Sequence, residues 1–325
     1  MLSLFRSSVT AVFILALISQ PFTQGSRGAG DPPPQSGKQQ LPGRISDQTY
    51  RVSVDLVNVF CSAWDKDTKS FVTSLSRDDF AIYEDGQMQE IKNFARETNQ
   101  PLTIALLIDT SQSVAPKLKF EQEAATNFFY TVLKEGDRAM LVEFNSAVSL
   151  VEDFTGNPNK LEKQIGALRA AGNTALYDAI VKVCDEKLIR ETGRKTIIIL
   201  SDGNDSSSSE TLERASAMAQ LAEATIFSIS INRGGLFGVG GDSRSGDDVL
   251  KQLASATGGK ALFPFQAEDL DASFREISQE LRSQYSLGYI SSNSKHDGSY
   301  RRIEIKTPEK NLRLNYRKGY FAPSR

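Results

Sequence analysis

Four short runs of almost entirely apolar residues, separated by longer amphipathic stretches, constrain the fold of this chain more than any other feature. The runs cover residues 102–108, 139–144, 196–200 and 225–231. A strand that is buried on both faces has a continuous apolar sequence of this kind, which is typical of parallel sheets. Strands that alternate with helices build βαβ units. The sequence therefore predicts an α/β fold with a doubly wound, mostly parallel sheet.

The stretches between these runs have the length and the apolar spacing of helices. The predicted helices cover residues 116–134, 159–169, 176–191, 209–222, 247–257 and 269–282. A shorter apolar run at residues 148–151 predicts one antiparallel strand at the edge of the sheet.

Five polar residues lie just after a predicted strand or at the start of a predicted helix. They are Asp109, Ser111, Ser113, Thr174 and Asp202. The carboxyl ends of parallel strands lie at one edge of the sheet, where ligands bind, so these side chains are predicted to converge. Two carboxylates and three hydroxyls form an oxygen-only set that suits a hard cation such as Mg²⁺, with Mn²⁺ and Ca²⁺ as alternatives. Because hydroxyls are neutral ligands, a cation bound there would keep much of its charge and could bind a carboxylate of another molecule. On its own, an Asp-x-Ser-x-Ser stretch often only caps a helix, which is the structural alternative.

The same residues carry a resemblance to a known family. Asp-Thr-Ser-Gln-Ser at residues 109–113, Gly-Asn-Thr-Ala-Leu-Tyr-Asp at residues 172–178 and Ser-Asp-Gly at residues 201–203 resemble the von Willebrand factor A (VWA) family. In that family the three stretches form the metal-ion-dependent adhesion site, and all five of its ligand positions are matched here. The resemblance covers roughly residues 100–282. It implies a metal site that binds a partner protein.

Short β-type patterns flank this region on both sides. Alternating apolar and polar residues occur between positions 50 and 95, and Asp85-Gly86 gives a strong hairpin signal. Three further strands are predicted at residues 284–290, 300–306 and 312–316. Neither flank alone has enough strands for an independent core.

We therefore predict one discontinuous β-sandwich, built from residues 46–98 and 283–322, with the VWA domain inserted as residues 99–282. The flanks also resemble a family of exported bacterial proteins with a VWA-related domain. That resemblance depends on Asp-Phe-x-x-x-Glu-Asp-Gly at residues 79–86 and on Tyr-x-Leu-Gly-Tyr at residues 285–289.

The amino terminus has the pattern of a signal peptide, which we place at residues 1–24. Arg6 precedes an apolar stretch from Val9 to Ile18, which fits a signal-peptide core and is shorter than the roughly 20 residues that span a bilayer. An uncleaved membrane anchor is the alternative. Residues 25–45 are rich in Pro, Gly and Gln and are predicted to be a disordered linker.

Composition and motif patterns argue against most other functions. Lys and Arg total 38 and Asp and Glu total 40, a net charge of −2, so neither nucleic acid nor an anionic membrane is predicted as a partner. The single histidine, His296, lies in a predicted turn and has no second histidine to act with it as a base. The glycine-rich stretch 234–246 lacks a Walker pattern and is interpreted as a surface loop. Cys61 and Cys184 are interpreted as small buried hydrophobic residues, although export would permit a disulfide.

These patterns predict an exported, metal-ion-dependent protein-binding or adhesion module that captures an Asp or Glu carboxylate of a partner protein through a divalent cation. The alternative is a structural or envelope-assembly component whose metal site mainly stabilises the fold. The protein is predicted to be secreted or periplasmic and not to be an enzyme. Contact with a membrane is expected only through an uncleaved signal anchor.

Overall fold

The computed structural model describes residues 56–96, 100–231, 243–265 and 268–324, which all belong to one compact unit. The strands are β1 (Leu56–Asp65), β2 (Ser70–Phe71), β3 (Ala81–Glu84), β4 (Gln87–Gln89), β5 (Ile91–Arg96), β6 (Leu102–Asp109), β7 (Arg138–Phe144), β8 (Val148–Thr155), β9 (Arg194–Ser201), β10 (Ala224–Ser230), β11 (Ala261–Leu262), β12 (Gln284–Ile290), β13 (Tyr300–Lys306), β14 (Leu312–Tyr316) and β15 (Gly319–Phe321). The helices are α1 (Leu118–Val132), α2 (Pro158–Ile165), α3 (Leu176–Glu186), α4 (Leu212–Leu221), α5 (Ser243–Thr257) and α6 (Glu268–Leu281). The predicted signal peptide and linker lie outside the described residues. Within the described ranges, no helix is both long enough and apolar enough to cross a bilayer.

The central sheet has six strands in the order β11-β10-β9-β6-β7-β8. Every neighbouring pair is parallel except β7 and β8, which are antiparallel. The predicted doubly wound, mostly parallel sheet is therefore confirmed, and so is its one antiparallel edge strand.

The continuous apolar runs arise because the middle strands are covered on both faces. Every residue of β6 and β9 is buried. Along β6, Ile104 and Leu106 pack into the core that includes α1 and α6, whereas Ala105 and Leu107 pack into the core that includes α3 and α4. Successive side chains of a strand point to opposite faces, so two separate apolar cores require apolar residues at every position.

The remaining strands form a β-sandwich from two antiparallel sheets. One sheet has the order β14-β1-β12-β5, with β2 paired to β1, and the other has the order β15-β13-β3-β4. Their facing side chains form a third core, with Val59, Ile82, Leu287 and Ile303 among its members. Strands from before and after the α/β region therefore share this core, and the predicted fold class of an α/β domain inserted in a discontinuous sandwich is confirmed.

The hairpin predicted at Asp85-Gly86 is shorter in the structure than its sequence pattern indicates. Asp85 and Gly86 do form the tip of a hairpin, with positive φ angles of 48° and 83°. The apolar pattern that continues to residue 94, however, belongs to two strands in different sheets, because β4 pairs with β3 whereas β5 pairs with β12. The chain crosses between the sheets at Glu90, the single residue between β4 and β5.

Two further expectations have clear outcomes. Residues 243–246, predicted as the end of a glycine-rich loop, belong to α5, which begins at Ser243; residues 232–242 lie outside the described residues. Cys61 and Cys184 are buried, as predicted, and the structure shows both as free thiols.

Polar contacts connect the α/β region to the sandwich. Arg194 of β9 donates to the Gln284 side-chain oxygen at 2.8 Å and also to the Leu281 carbonyl, where α6 ends and β12 is about to begin. Arg317 donates to the carbonyl oxygen of Asn58 at 2.6 Å and pairs with Glu223 at 3.1 Å.

Candidate metal centre

Asp109 is the last residue of β6 and is fully buried. Its Oδ1 accepts a hydrogen bond from the backbone N–H of Ser111 at 2.9 Å, and its Oδ2 accepts one from the Ser201 hydroxyl at 2.6 Å. Ser201 is the last residue of β9, the parallel neighbour of β6. Two adjacent strand ends therefore fix the orientation of this carboxylate.

A chain of hydrogen bonds leads from this buried position towards the surface. The hydroxyl oxygens of Ser111 and Ser113 lie 3.0 Å apart, and the Ser113 hydroxyl donates to Oδ2 of Asp202 at 2.9 Å. Oδ1 of Asp202 accepts from the backbone N–H of Asn204 at 3.0 Å. Ser111 is buried, Asp202 is half-buried and Ser113 is exposed. Four of the five predicted ligands thus form one connected cluster, which is buried at one end and open to solvent at the other.

Thr174 lies in the loop before α3 and is held by its backbone. Its N–H donates to the Ser206 hydroxyl at 3.0 Å, and its carbonyl accepts from the N–H groups of Ser206 and Ser207 at 2.9 and 3.0 Å. The same loop meets the serine segment, because the N–H of Gln112 donates to the carbonyl of Gly172 at 2.9 Å. Within the described part of the chain, the Thr174 side chain has no hydrogen bond to the other four residues. Its role as a ligand stays a prediction.

The loop that carries Asp202 is packed against the start of α5. Gly203 has a φ of +77°, which side chains other than glycine rarely adopt. A Cβ atom on Gly203 would overlap the carbonyl group of Gly246, and a Cβ atom on Gly246 would overlap the carbonyl oxygen of Asp202. The absence of both side chains lets the two backbones touch directly beneath the site.

A second layer of hydrogen bonds joins this loop to the start of α3. Asp205 accepts from the N–H of Tyr177 at 3.2 Å and from the Ser208 hydroxyl at 2.6 Å. Asp178 accepts from the N–H of Glu210 at 2.8 Å. Acidic side chains at a helix start also interact favourably with the helix dipole. The loops that carry Thr174 and Asp202 therefore form one hydrogen-bonded unit.

The electrostatics of the cluster favour a cation. The pKa of Asp109 is raised to about 6, mainly by burial and also by the nearby charge of Asp202, although the hydrogen bonds from Ser111 and Ser201 act in the opposite direction. A positive charge at this position would offset both the burial and the repulsion between the two aspartates.

The donor set is consistent with a hard divalent cation. The cluster offers carboxylate and hydroxyl oxygens only, as Mg²⁺, Mn²⁺ or Ca²⁺ would require. Among the described residues, no group of three or more His, Cys, Asp or Glu side chains could hold a metal ion. A cation at this edge would therefore depend on the serine and threonine hydroxyls as well as on Asp109 and Asp202.

Sequence reasoning missed several residues of the site. Ser201 was visible only as part of a motif, and its bond to Asp109 depends on the register of β6 and β9. Gly246 was assigned to a loop, although its contact with Asp202 requires a helix start there. Outside the hydrogen-bonded cluster, Glu121 of α1 is also fully buried; no motif singles it out, although its spacing from Leu118 and Ala125 places it in the apolar stripe of the helix.

Comparisons with known proteins agree with this fold. Residues 104–204 match the family model of the von Willebrand factor type A domain. One similar structure is an aerotolerance-related membrane protein from Bacteroides fragilis, with 13% identity and a TM-score of 0.46 over 55% of this chain and 98% of that chain. Another is the vWF domain of the type V pili tip protein Mfa5 from Porphyromonas gingivalis, with 18% identity and a TM-score of 0.45 over 55% of this chain and 94% of that chain.

A third similar structure is proximal thread matrix protein 1 from the mussel byssus, whose MIDAS motif is occupied by zinc. It has 15% identity and a TM-score of 0.49 over 62% of this chain and 50% of that chain. No curated protein sequence matches the chain significantly. The family match runs from β6 to the loop after β9, so that it includes all five predicted ligand positions. The chain therefore contains a von Willebrand factor type A domain.

Proposed function

We propose that this protein is an exported, metal-ion-dependent protein-binding module, which captures an Asp or Glu carboxylate of a partner protein at the Asp109–Asp202 edge of its VWA domain. The proposal depends on one observation: side-chain hydrogen bonds connect Ser111 to Ser113 and Ser113 to Asp202, next to the buried Asp109. We infer Mg²⁺ as the cation, with Mn²⁺ and Ca²⁺ as alternatives, because the donors are all oxygen atoms.

Each residue has a distinct task in this proposal. Asp109 holds negative charge in a fixed orientation, because Ser111 and Ser201 occupy one oxygen each. The hydroxyl of Ser113 lies on the exposed side of the cluster, where a partner has access. A bound divalent cation would supply positive charge for a partner carboxylate, and the neutral hydroxyls would leave part of that charge uncompensated.

We propose a binding function without catalysis. The single histidine, His296, belongs to the sandwich segment between β12 and β13, whereas the cluster lies in the VWA domain. Export is proposed from the apolar stretch at residues 9–18. A second candidate function is a structural one, in which the site mainly stabilises the fold. It draws support from the bonds that already join the Thr174 and Asp202 loops through Ser206 and Asp205.

Calorimetric titration with MgCl₂ and MnCl₂ tests the proposed site. The purified chain should bind one cation, and Asp109→Ala and Asp202→Ala should each abolish the binding because each removes a charged donor. Asp185→Ala is the matched control, since Asp185 is an exposed residue of α3, and it should bind normally. Undiminished binding in both site variants would refute the assignment.

The two candidate functions differ in what the loss of the cation does. If the site captures a partner, Asp109→Ala abolishes Mg²⁺-dependent retention of an envelope protein, and the melting temperature measured in EDTA stays close to that of the unmodified chain. If the site is structural, the variant loses the Mg²⁺-dependent rise in melting temperature, and retention is the same in Mg²⁺ and in EDTA.

A further inference from the structure

Glu121 is a buried acidic residue that the proposed binding role does not use. It lies in the first turns of α1, is fully buried, and neither of its carboxylate oxygens has a hydrogen-bond partner within the described part of the chain. An ionised carboxylate without partners is costly to bury. Such a group in a native fold calls for a functional or structural explanation.

The usual helical partner of Glu121 is engaged elsewhere. Lys117 precedes it by four residues, a spacing at which oppositely charged side chains can pair on a helix. The Lys117 ammonium group instead donates to the backbone carbonyl of Ile231, just after β10. The positions around Glu121 on the buried side of α1 are apolar, and Leu118, Ala125 and Phe128 all belong to the core.

Hydrogen bonds place the first turn of α1 beside the buried end of the candidate metal centre: the N–H of Ile231, whose carbonyl accepts from Lys117, donates to the carbonyl of Ser201, and the Ser201 hydroxyl donates to Asp109. Burial raises the pKa of Glu121 well above its ordinary value, the charges of Asp109 and Asp202 raise it further, and Lys117 lowers it. These three groups come from β6, from the loop after β9 and from α1. Since α1 begins five residues after Ser113, the helix that follows the serine segment carries this carboxylate on its buried side.

We propose that Glu121 is a third acidic group of the cation centre, which strengthens divalent-cation binding from the buried side of the site through its charge and without direct ligation. This inference rests on the proposed function of the site. Neither carboxylate oxygen of Glu121 has a hydrogen-bond partner in the described part of the chain, and a divalent cation held by Asp109 and Asp202 would supply the opposite charge that its burial calls for. Cation uptake should therefore release protons, and Glu121 should contribute to their number.

Three variants at this position separate charge from packing. Glu121→Gln removes the charge at nearly constant side-chain volume. Glu121→Leu also removes the charge and places an apolar residue on the buried side of α1, where apolar residues are favoured, so this charge-free variant should fold. Glu121→Asp keeps the charge. Glu123→Gln is the matched control on the exposed face of the same helix. Metal-free melting curves of the full chain establish that each variant is folded.

Calorimetry with MgCl₂ in two buffers of different ionisation enthalpy measures both affinity and proton release. We expect both charge-free variants to bind Mg²⁺ roughly tenfold more weakly and to release fewer protons, because buried charges are little screened by salt. Glu121→Asp should retain most of the affinity and the proton release, and Glu123→Gln should match the unmodified chain.

Two results would overturn the inference, and they are distinguishable. If Glu121→Gln and Glu121→Leu bind Mg²⁺ with unchanged affinity and proton release while Asp109→Ala does not bind, the site stands and Glu121 has no part in it. If Asp109→Ala binds as tightly as the unmodified chain, the proposed function fails, and the role of Glu121 fails with it.

Discussion

At the residue scale, the candidate site depends on glycines, which have no side chain, as much as on acidic residues. Asp202 can approach Ser113 because the backbone of its loop rests directly on the start of α5. Gly203 and Gly246 make that approach possible, since a Cβ atom on either would overlap the backbone of the other segment. The position of a ligand therefore depends on a glycine that lies 44 positions further along the chain.

We expect Gly246→Ala to disturb the site without removing any of its donors. The added methyl group would overlap the carbonyl oxygen of Asp202, and relief of that overlap should cost about 1–3 kcal/mol of unfolding free energy. Because Asp202 moves, Mg²⁺ affinity should fall by roughly 10–100-fold, as for the loss of other supporting contacts. Urea denaturation and calorimetry measure the two effects.

Gly166→Ala is the control for this prediction. Gly166 follows α2 with a helical φ of −62°, and a Cβ atom there meets its neighbours at ordinary distances of 3.5 Å and more. This variant should keep both stability and affinity. Normal Mg²⁺ binding by Gly246→Ala would show that the Asp202 loop does not depend on its contact with α5.

The limits of sequence reasoning are clearest for single residues. The sequence predicts that four of the ligands lie at one edge of the parallel sheet, because each comes shortly after a predicted strand. These ligands are Asp109, Ser111, Ser113 and Asp202. No sequence motif singles out Glu121: its spacing places it in the apolar stripe of α1, but an amphipathic pattern tolerates one acidic residue, and packing alone shows that this one is buried without a partner in the described part of the chain. The side-chain environment of Thr174 depends on loop conformation, for which the sequence has no periodic signal.

At the element scale, patterns predicted strands better than they predicted the sheets that the strands join. Only Glu90 separates β4 from β5 in sequence, yet the two strands belong to separate sheets. Alternation depends on one face of a strand being buried, and both sheets bury one face against the same core. The pattern therefore carries no information on which sheet a strand joins.

Helix α6 is the element that connects the VWA domain to the sandwich, and Glu280 near its end is the key contact. Its Oε1 accepts hydrogen bonds from the Ser62 hydroxyl and the Asn315 amide, both at 2.7 Å. Burial raises the pKa of Glu280, whereas these two hydrogen bonds lower it. An acid with a raised pKa in the folded state stabilises the fold most when it is protonated.

The pH dependence of stability follows from this shift. Below about pH 4.5 Glu280 is protonated in the folded and the unfolded chain, and its contribution is complete. As the pH rises from the unfolded pKa to the folded pKa, Glu280 ionises in the unfolded chain while it stays protonated in the folded chain, so this contribution is lost. We expect Glu280→Gln, which keeps the two hydrogen bonds and cannot ionise, to become more stable relative to the unmodified chain between pH 4.5 and pH 8. A difference of one pH unit between the folded and the unfolded pKa of Glu280 corresponds to about 1.4 kcal/mol of unfolding free energy.

Urea denaturation of the metal-free protein at several pH values measures this difference. Glu186→Gln, at an exposed position of α3, should show the same pH dependence as the unmodified chain. A stability difference for Glu280→Gln that is constant over this pH range would mean that Glu280 is ionised in the folded protein throughout.

At the scale of the whole molecule, a continuous set of contacts runs from the candidate site to the sandwich. Helix α1 follows the serine segment, and its Phe128 packs on Phe274 of α6 with ring centroids 4.8 Å apart. Helix α6 then bonds to the sandwich through Glu280 and leads directly into β12. Helix α6 is therefore one of the elements that link the candidate site to the sandwich, beside the contacts of Arg194 and Arg317.

The two domains nevertheless have separate cores, and this determines how the chain responds to truncation. Seven of the fifteen buried residues described for the sandwich core lie after residue 283. Strand β12 pairs with both β1 and β5, and β13 pairs with both β3 and β15. Removal of residues 283–325 would therefore leave β1, β3 and β5 with exposed edges and half of a core, and such edges are templates for association. We expect the truncated chain to aggregate.

A segment of residues 99–282 should remain soluble and monomeric, because both cores of the VWA domain consist of its own residues and its contacts with the sandwich are mainly polar. Arg194 would lose the Gln284 side chain yet keep the Leu281 carbonyl as a partner. Size-exclusion chromatography with light scattering and limited proteolysis distinguish the two truncated forms. If the chain without residues 283–325 stays monomeric and its first strands resist protease, the amino-terminal strands do not need the carboxyl-terminal ones. The proposed domain division would then be wrong.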